Sequence, residues 1–284
     1  MELIKRPGLC MINTSQKAAD MVITSVKNEL VRALKKLELR KYREETRSFF
    51  MEGPHGVEEG LQCGARLIRL VVNVDAADDG ECAKLVAQAA AKNVPVTELT
   101  AAVFNYVCDT ETPQGIGGVF ELPGAFDPSS GETVLLLENL QNPGNMGTIL
   151  RTADAAGFSG VICSKGCVDV FNPKTVRSTS GSLFRVPIAQ SRSTGPEIAE
   201  DLMKKGFKVV AAHPRGGVSY IDEQFEGKVC VVIGNEANGI SEEMLACCSG
   251  LVTIPMPGGA ESLNASVAAA LMIYEVARKK GKLG

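Results

Sequence analysis

The sequence predicts an α/β protein of two domains, the second built on a mostly parallel sheet with helices on both faces. Three observations lead to this prediction. The chain has 284 residues, more than one core usually holds. Short β-branched segments alternate with helical ones. Residues 123–131 hold two prolines, two glycines and two serines, a composition typical of linkers. We therefore expect domains at 1–122 and 132–284, joined by a linker at 123–131.

Composition indicates the compartment. The chain is 45% hydrophobic and 22% charged, as in soluble globular proteins. No apolar run reaches the ~20 residues of a membrane span, and the N-terminus MELIKRPGLC lacks a secretory hydrophobic region. Nine scattered cysteines without a CxxC pair favour reduced thiols. We expect a cytoplasmic protein with no membrane segment and no metal; Cys163 and Cys167, a CxxxC pair, lack the further cysteine that an iron–sulfur site needs.

Positive charge is concentrated in two stretches. Residues 1–50 contain eleven Lys and Arg against six Asp and Glu, a net charge of +5, so the other 234 residues carry −8 of the total of −3. A second basic stretch runs from Arg151 to Arg192, with six cations against two acids. A local positive field on an acidic protein is compatible with nucleic-acid binding. An ordinary solvated face explains each stretch equally well.

The first domain reads as a small α/β/α sandwich. A basic amphipathic helix is predicted over Lys17–Arg47, and a strand and a glycine turn follow over Phe49–Val57. Alternating strands and helices continue to about residue 120. His55 follows this turn and either contacts RNA or has a structural role.

The second domain opens with a strand over Thr133–Leu137. Asn145 is the predicted N-cap of the helix that follows, which extends to Ala156. Arg151 lies six residues after Asn145 among apolar and small neighbours. We therefore expect much of this helix to be buried, and a buried arginine needs a partner or a ligand. The alternative is a surface cation.

The chain is organised around the stretch from Val229 to Arg278. A buried strand over Val229–Ile233 ends at Gly234, Asn235 and Glu236, where chemistry often lies in α/β sheets. A second strand ends in a Pro/Gly-rich loop over 255–259. The last helix begins near Ser262 and is apolar nearly all round, so it is predicted to be buried on every side. Ser262 and Asn264 at its start are either a cap with a turn asparagine or part of a site.

Several enzyme classes lack their motifs here. The sequence holds no phosphate-binding GxxxxGK[ST], no GxGxxG after a strand and no nucleophile elbow, and only two histidines. The polar side chains that remain at strand ends and helix starts include no free nucleophile, which favours binding and positioning over covalent catalysis. They are Asn145, Arg151, Glu236, Ser262 and Asn264.

Three segments together resemble the SpoU (TrmH-type) RNA ribose methyltransferases of the SPOUT superfamily. They are NPGNMG at 142–147 with RTAD at 151–154, then IGNEANG at 233–239, and finally IPM at 254–256 with SLN at 262–264. Ala237 stands where the family often has glycine, a change we expect to be tolerated. The first domain also resembles the substrate-binding domain that many rRNA-modifying members carry.

The resemblance implies a fold, a cofactor and partners. The expected fold is an α/β domain with a deep trefoil knot, through which the last helix is threaded. S-adenosylmethionine is expected in the knot, and the partners implied are RNA, most of all rRNA, and a second copy of the chain in a homodimer. The residues implied for cofactor binding are Ala212, Gly234, Ile254, Met256 and Leu263.

The implied reaction is methyl transfer to a ribose 2′-hydroxyl of RNA. In the family, Arg151 is the residue nearest that hydroxyl. Guanidinium stays protonated in proteins, so we expect Arg151 to grip a phosphate while that phosphate or a water takes the proton. Asn145, Ser262 and Asn264 would orient Arg151 and the ribose. Glu236 would hold the knot loops or pair with a cation.

Alternative functions remain at this stage. A tRNA ribose methyltransferase and a methyltransferase that protects rRNA from an antibiotic have the same motifs as one that modifies 23S rRNA. A ribosome-assembly factor with an inactive site would bind RNA without catalysis, but the intact polar set favours an enzyme. A dinucleotide-dependent dehydrogenase is disfavoured by the missing glycine fingerprint.

Overall fold

The structure, a computed structural model, describes residues 22–78, 80–124, 126, 127 and 130–283. The first 21 residues, which include the start of the predicted leading helix, lie outside the described residues. The chain divides into two compact units. The first runs to Gly124 and also includes Phe171–Phe184, and the second consists of Ala125–Val170 and Arg185–Gly284.

Among its described residues, the first unit contains five helices, a further short helix from the later segment, and four strands. In chain order they are α1 (Glu29–Lys36), α2 (Arg40–Thr46), β1 (Ser48–Glu52), α3 (Pro54–Gln62), β2 (Leu67–Asn73), α4 (Gly80–Ala91), β3 (Val96–Leu99), α5 (Ala101–Val107), β4 (Ile116–Glu121) and α7 (Pro173–Ser178). The predicted leading helix is therefore two short helices in its described part.

The four strands form one mixed sheet in the order β1-β4-β2-β3. Strand β4 is antiparallel to both neighbours, whereas β2 and β3 are parallel. Helices α1 and α5 pack on one face, where Leu34 and Phe104 join Val71 and Val119 in a buried cluster. Helices α3 and α4 pack against each other and the sheet. The predicted α/β/α sandwich is confirmed.

An aromatic cluster explains why Phe171–Phe184 belongs to the first unit. The ring of Phe171 lies 5.0 Å from that of Phe49, and Phe184 lies 4.9 Å from Phe120, measured between ring centroids. Phe49 and Phe120 are fully buried on β1 and β4. Aromatic pairs of this kind stabilise the folded state by more than the burial of their apolar area alone. The segment thus packs with the first unit although it lies within the residues, 132–284, that the sequence assigned to the second domain.

The described part of the second unit contains four helices and seven strands. In chain order they are β5 (Thr133–Leu137), α6 (Pro143–Ala155), β6 (Gly160–Cys163), β7 (Ile188–Gln190), α8 (Gly195–Lys204), β8 (Phe207–Ala212), β9 (Val218–Ser219), β10 (Lys228–Ile233), α9 (Glu242–Cys247), β11 (Gly250–Thr253) and α10 (Ala265–Lys279). The sequence pattern had favoured a short strand over Phe184–Pro187, but β7 begins at Ile188, directly after Pro187.

The strand order is β7-β6-β5-β10-β8-β11-β9, and all six pairings are parallel. Helices α8 and α9 cover one face, where Leu202 and Met244 contact a buried cluster with Val134 and Cys230. Helices α6 and α10 pack against each other, and contact β6 and β10 respectively. The predicted parallel sheet with helices on both faces is confirmed. The threading of the last helix stays a prediction.

Two further findings concern the whole described chain. No disulfide links the eight cysteines within it. None of its helices is long and apolar enough to cross a membrane.

Candidate active site

A cavity of about 360 Å³ opens beside the carboxyl ends of β10, β8 and β11. These strands are neighbours in the sheet, so the loops that follow them converge, as ligand-binding loops do in parallel sheets. Residues 212–214 and 233–240 line the cavity together with side chains from 252–256 and 262–268. All five residues predicted to bind the cofactor lie in this lining: Ala212, Gly234, Ile254, Met256 and Leu263.

The loop after β10 is held closed by Asn235. Its backbone exchanges two hydrogen bonds with Gly239, at 2.9 and 3.0 Å. Its side-chain oxygen accepts from the N–H groups of Ala237 and Asn238, and its amide donates to the carbonyl of Asn139 at 2.8 Å. The left-handed residue is Gly239, with φ +70°, so alanine at 237 fits without backbone strain. The sequence included Asn235 in a motif but assigned it no role.

Gly234 has no room for a side chain. A Cβ there would lie 2.3 Å from the carbonyl carbon of Gly239 and 2.5 Å from the nitrogen of Ile240, both backbone atoms. We expect Gly234→Ala to displace the cavity loop and weaken cofactor binding by about tenfold, a loss of roughly 1.4 kcal/mol. Calorimetric titration with S-adenosylhomocysteine measures this loss. Gly250→Ala is the matched control, because a Cβ at Gly250 meets nothing within 4 Å; equal affinity of both variants would contradict the expectation.

Glu236 joins two loops through three hydrogen bonds. Its carboxylate accepts from the backbone N–H groups of Gln141 (3.1 Å) and Asn142 (2.9 Å) and from the side-chain amide of Asn145 (3.1 Å). Burial opposes its ionisation, but these donors outweigh that effect and hold the pKa of Glu236 below its ordinary value of 4.5. Glu236 is therefore charged at neutral pH and ties the β5–α6 loop to the β10 loop.

The charge on Glu236 determines the orientation of two asparagine side chains. A carboxylate can only accept, so Asn145 must present its NH₂ group to Glu236. The oxygen of Asn145 then faces Asn264, whose NH₂ donates to it at 3.2 Å. The oxygen of Asn264 in turn accepts from the N–H of Ser266 at 2.8 Å and caps α10. These hydrogen bonds form a chain, here called the relay, from Asn264 through Asn145 to Glu236. The relay links the starts of α6 and α10, and each NH₂ group in it donates in the direction of Glu236.

Two predicted caps differ from the structure. Helix α6 begins at Pro143, and its N-cap is Asn142, whose side chain accepts from Gly144 and Asn145. Proline is well suited to the first helical position, so the helix begins at Pro143. Asn145 therefore lies inside the first turn and not at the cap. Asn264, and not Ser262, caps α10. Ser262 lines the cavity as an exposed residue.

Arg151 is exposed, so its predicted burial is wrong. Helix α6 buries Ile149, Leu150 and Ala153, and the 3.6-residue period turns Thr148 and Arg151 outward. No hydrogen bond or ion pair joins the Arg151 side chain to another described residue. Its guanidinium donors are available to a ligand. The structure therefore connects four of the five predicted catalytic residues to the cavity or its relay and leaves Arg151 on the open face of α6.

Glu138 is a supporting residue that the sequence analysis missed. It is buried at the end of β5, and its carboxylate accepts from the N–H (2.9 Å) and the hydroxyl (2.6 Å) of Ser241. Ser241 is the N-cap of α9. The pair anchors the end of the loop that carries Glu236. The sequence signal that could have identified Glu138 is the position of its carboxylate directly after a buried strand.

Residues 132–274 match the SpoU rRNA methylase family, and residues 28–118 match a family described as the MRM3-like substrate-binding domain. The chain belongs to the SpoU rRNA methylase family. It is therefore an S-adenosylmethionine-dependent RNA methyltransferase, as the three motifs predicted. No group of three or more metal-ligating side chains occurs in the described residues of this SpoU methylase.

Relatives of known name extend over both units of the SpoU methylase. The chain is 34% identical over 89% of its length, and 98% of the other protein, to the 23S rRNA (guanosine(2553)-2′-O)-methyltransferase RlmP of Bacillus subtilis. It is similar to an AdoMet-bound rRNA methyltransferase from Sinorhizobium meliloti, with a TM-score of 0.78, 33% identity and coverage of 91% and 97%. It is also similar to the SpoU methyltransferase AviRb from Streptomyces viridochromogenes in complex with AdoMet, with a TM-score of 0.79, 26% identity and coverage of 89% and 98%.

The cavity of the SpoU methylase fits S-adenosylmethionine by its chemistry. Ile240, Leu245 and Ile254 provide apolar walls for an adenine ring. The carboxylates of Glu236 and Glu242 also line the cavity, whereas no Lys or Arg does among the described residues. Such a lining attracts a sulfonium and an ammonium group, and it disfavours a phosphate-bearing dinucleotide. The dehydrogenase alternative is thereby removed.

Proposed function

We propose that this methyltransferase modifies a ribose 2′-hydroxyl in 23S rRNA, at a guanosine equivalent to the one named for the Bacillus subtilis relative. The observation that carries the proposal is the relay from Glu236 through Asn145 to Asn264 beside a cavity suited to S-adenosylmethionine. The relay contains no nucleophile. Direct transfer onto a positioned hydroxyl needs alignment and a proton acceptor, not a covalent intermediate.

S-adenosylmethionine supplies an activated methyl group to this site. The protein side chains then have a positioning task. Arg151, exposed and with unused donors, grips a backbone phosphate of the RNA. Asn145 and Asn264 fix the relative position of the helices that flank the site, and Ser262 offers its hydroxyl to the ribose. The proton of the 2′-hydroxyl passes to a phosphate or a water, because guanidinium does not act as a base at this pH.

The first domain, residues 1–122, is proposed to provide RNA affinity. Its match to a substrate-binding domain supports this role. Lys27, Arg32 and Lys36 are exposed cations around α1, and exposed cations bind phosphates with a strong dependence on salt. A cytoplasmic location is part of the proposal and is supported by the rRNA methyltransferase relative.

The chain is proposed to act as a homodimer through the outer face of α10. The sequence predicted that this helix is buried on every side, but Val267, Leu271 and Tyr274 are exposed, the last at 43%. They lie at i, i+4 and i+7 and form one apolar stripe, and Ile221 is exposed as well. A contiguous exposed apolar face is typical of an interface. A symmetric pair of chains would bury the stripe and account for the apolar composition.

Leu271→Arg is expected to weaken the dimer by at least about thirtyfold, because it places a charge in the centre of the stripe. An anchor residue in the centre of an interface contributes roughly 2 kcal/mol or more to the binding free energy. Sedimentation velocity across a concentration series measures the dissociation constant. Leu39→Arg is the control, since Leu39 is also an exposed leucine, at 58%, but lies in the first unit. A Leu271→Arg chain that is still dimeric at the concentrations at which the wild-type chain is dimeric would refute the assignment of this face.

The target is tested by mapping 2′-O-methyl groups in the rRNA and tRNA of cells with and without the gene. Loss of one methylated guanosine in 23S rRNA is the expected result, restored by the wild-type gene and not by an Arg151→Ala gene. Loss of a tRNA methyl group would identify a tRNA enzyme. An unchanged map that accompanies a ribosome-assembly defect would favour the inactive RNA-binding factor, and a change only in antibiotic resistance would favour a protective enzyme.

A further inference from the structure

A second cavity, of about 380 Å³, lies entirely within the first unit. It is formed where the β1–α3 turn meets the segment that leads into β4 and the end of α7. Its apolar part includes the buried side chains of Met51, Ile116 and Val176. The volume is in the range of small-ligand sites. None of the predicted site residues of the methyltransferase lines it.

The two charged side chains that line this cavity, Glu52 and Arg177, already have partners. The carboxylate of Glu52 accepts from the N–H of Asp109 at 2.6 Å and from the hydroxyl of Thr110 at 2.7 Å. The guanidinium of Arg177 donates to the carboxylate of Asp109 at 2.7 Å. Lysine is absent from the described lining. The balance of one cation and one carboxylate in the lining is unsuited to an isolated phosphate.

Three other polar side chains of the cavity are not used in this way. His55, Thr112 and Gln114 are exposed and line it, and their side chains form no hydrogen bond to another described residue. The amide of Gln114 lies over Gly53, where a Cβ would come within 2.8 Å of its oxygen. Gly53 therefore leaves space for that amide. An amide, a hydroxyl and an imidazole offer both donors and acceptors above an apolar floor.

We infer that this cavity binds one unpaired nucleobase of the RNA substrate, distinct from the nucleotide that is methylated. A base is flat, uncharged and apolar on its faces, with donors and acceptors on its edge, and therefore matches the floor and the free polar groups. RNA is read in sequence mainly through unstacked bases of this kind, held by planar side chains and edge hydrogen bonds. The methyl-transfer cavity is lined by second-unit residues alone, so the base taken here serves recognition.

The inference rests on the proposed RNA substrate, and its first test does not depend on catalysis. Methyl groups of Met51 and Ile116 in the full-length protein are followed by NMR during titration with the four nucleoside 5′-monophosphates and with ribose 5-phosphate. Shifts of these two methyls with at least one nucleotide, and none with ribose 5-phosphate, are expected. Shifts that are equal for both kinds of probe, or absent for all five, would overturn base binding.

The second test uses RNA. Gln114→Ala and His55→Ala are expected to raise the KM for the rRNA substrate by about tenfold, equivalent to roughly 1.4 kcal/mol, at unchanged kcat and unchanged affinity for S-adenosylhomocysteine. Gln62→Ala, an exposed glutamine at the other end of α3, is the matched control. Wild-type KM in both cavity variants would refute the inference. If the chain methylates another RNA while the nucleotide shifts persist, only the proposed 23S target fails.

Discussion

Arg151→Ala should lower the rate of methyl transfer by about 30- to 1,000-fold, because a well-placed charged contact in the transition state contributes roughly 2–4 kcal/mol. The side chain is exposed on α6 and has no partner among the described residues, so its removal leaves no buried group unsatisfied. Stability and S-adenosylhomocysteine affinity should therefore stay at wild-type values. Single-turnover methylation with tritiated cofactor at saturating RNA measures the rate.

Arg151→Lys should be nearly as inactive, since lysine keeps the charge but lacks the planar fork that binds phosphate with two hydrogen bonds. Arg192→Ala is the matched control, because Arg192 is another exposed arginine of the second unit. An Arg151→Ala enzyme that keeps more than about a third of the wild-type rate has lost less than ~1 kcal/mol. That result would show that Arg151 does not contact the reacting groups.

Glu236→Gln should reduce methyl transfer by roughly 10- to 100-fold, because hydrogen bonds to a charged group contribute more than neutral ones and three of them end on this carboxylate. The amide keeps the size of the side chain but turns one acceptor into a donor. That donor faces either the N–H of Gln141 or both the N–H of Asn142 and the NH₂ of Asn145. In the second case Asn145 rotates and the relay to Asn264 reverses.

The pH dependence of stability distinguishes lost hydrogen bonds from lost packing. The pKa of Glu236 is lower in the folded protein than its ordinary value of 4.5. Its contribution to the free energy of unfolding is therefore fully present above that value and disappears as the pH falls through the lower, folded-state pKa. The difference in Tm between wild type and Glu236→Gln should be constant above about pH 5.5 and shrink below pH 4.5. A difference independent of pH from 3 to 7 would mean that the charge is not what holds the loops.

Glu242→Gln serves as the control for both measurements. Glu242 also lines the cavity but lies in the first turn of α9, away from the relay. Its replacement should leave the Asn145–Asn264 arrangement intact and change methyl transfer by less than the Glu236 substitution. Equal losses in the two variants would indicate a general effect of cavity charge.

The sequence by itself determined where the candidate site lies along the chain. Gly234, Glu236 and Ile254 follow β-branched runs, and a residue at the end of a parallel strand is placed at the sheet edge by local geometry alone. The helix after β5 was likewise predicted, because cap preferences depend on near neighbours, but its cap is Asn142 and not the predicted Asn145. The family motifs added the cofactor, which periodicity does not encode.

Only the tertiary structure decided which of these residues meet and which face outward. Asn145 and Glu236 are separated by 91 residues and Asn145 and Asn264 by 119, so their contacts follow from strand order and not from spacing. Arg151 and Leu271 lie on helices with apolar neighbours, yet both are exposed, because the packing of α6 against α10 selects the buried faces. Phe171 and Phe184 join the first unit because its aromatic core provides their contacts. Local pattern predicts an element, but long-range packing determines the partners of each of its faces.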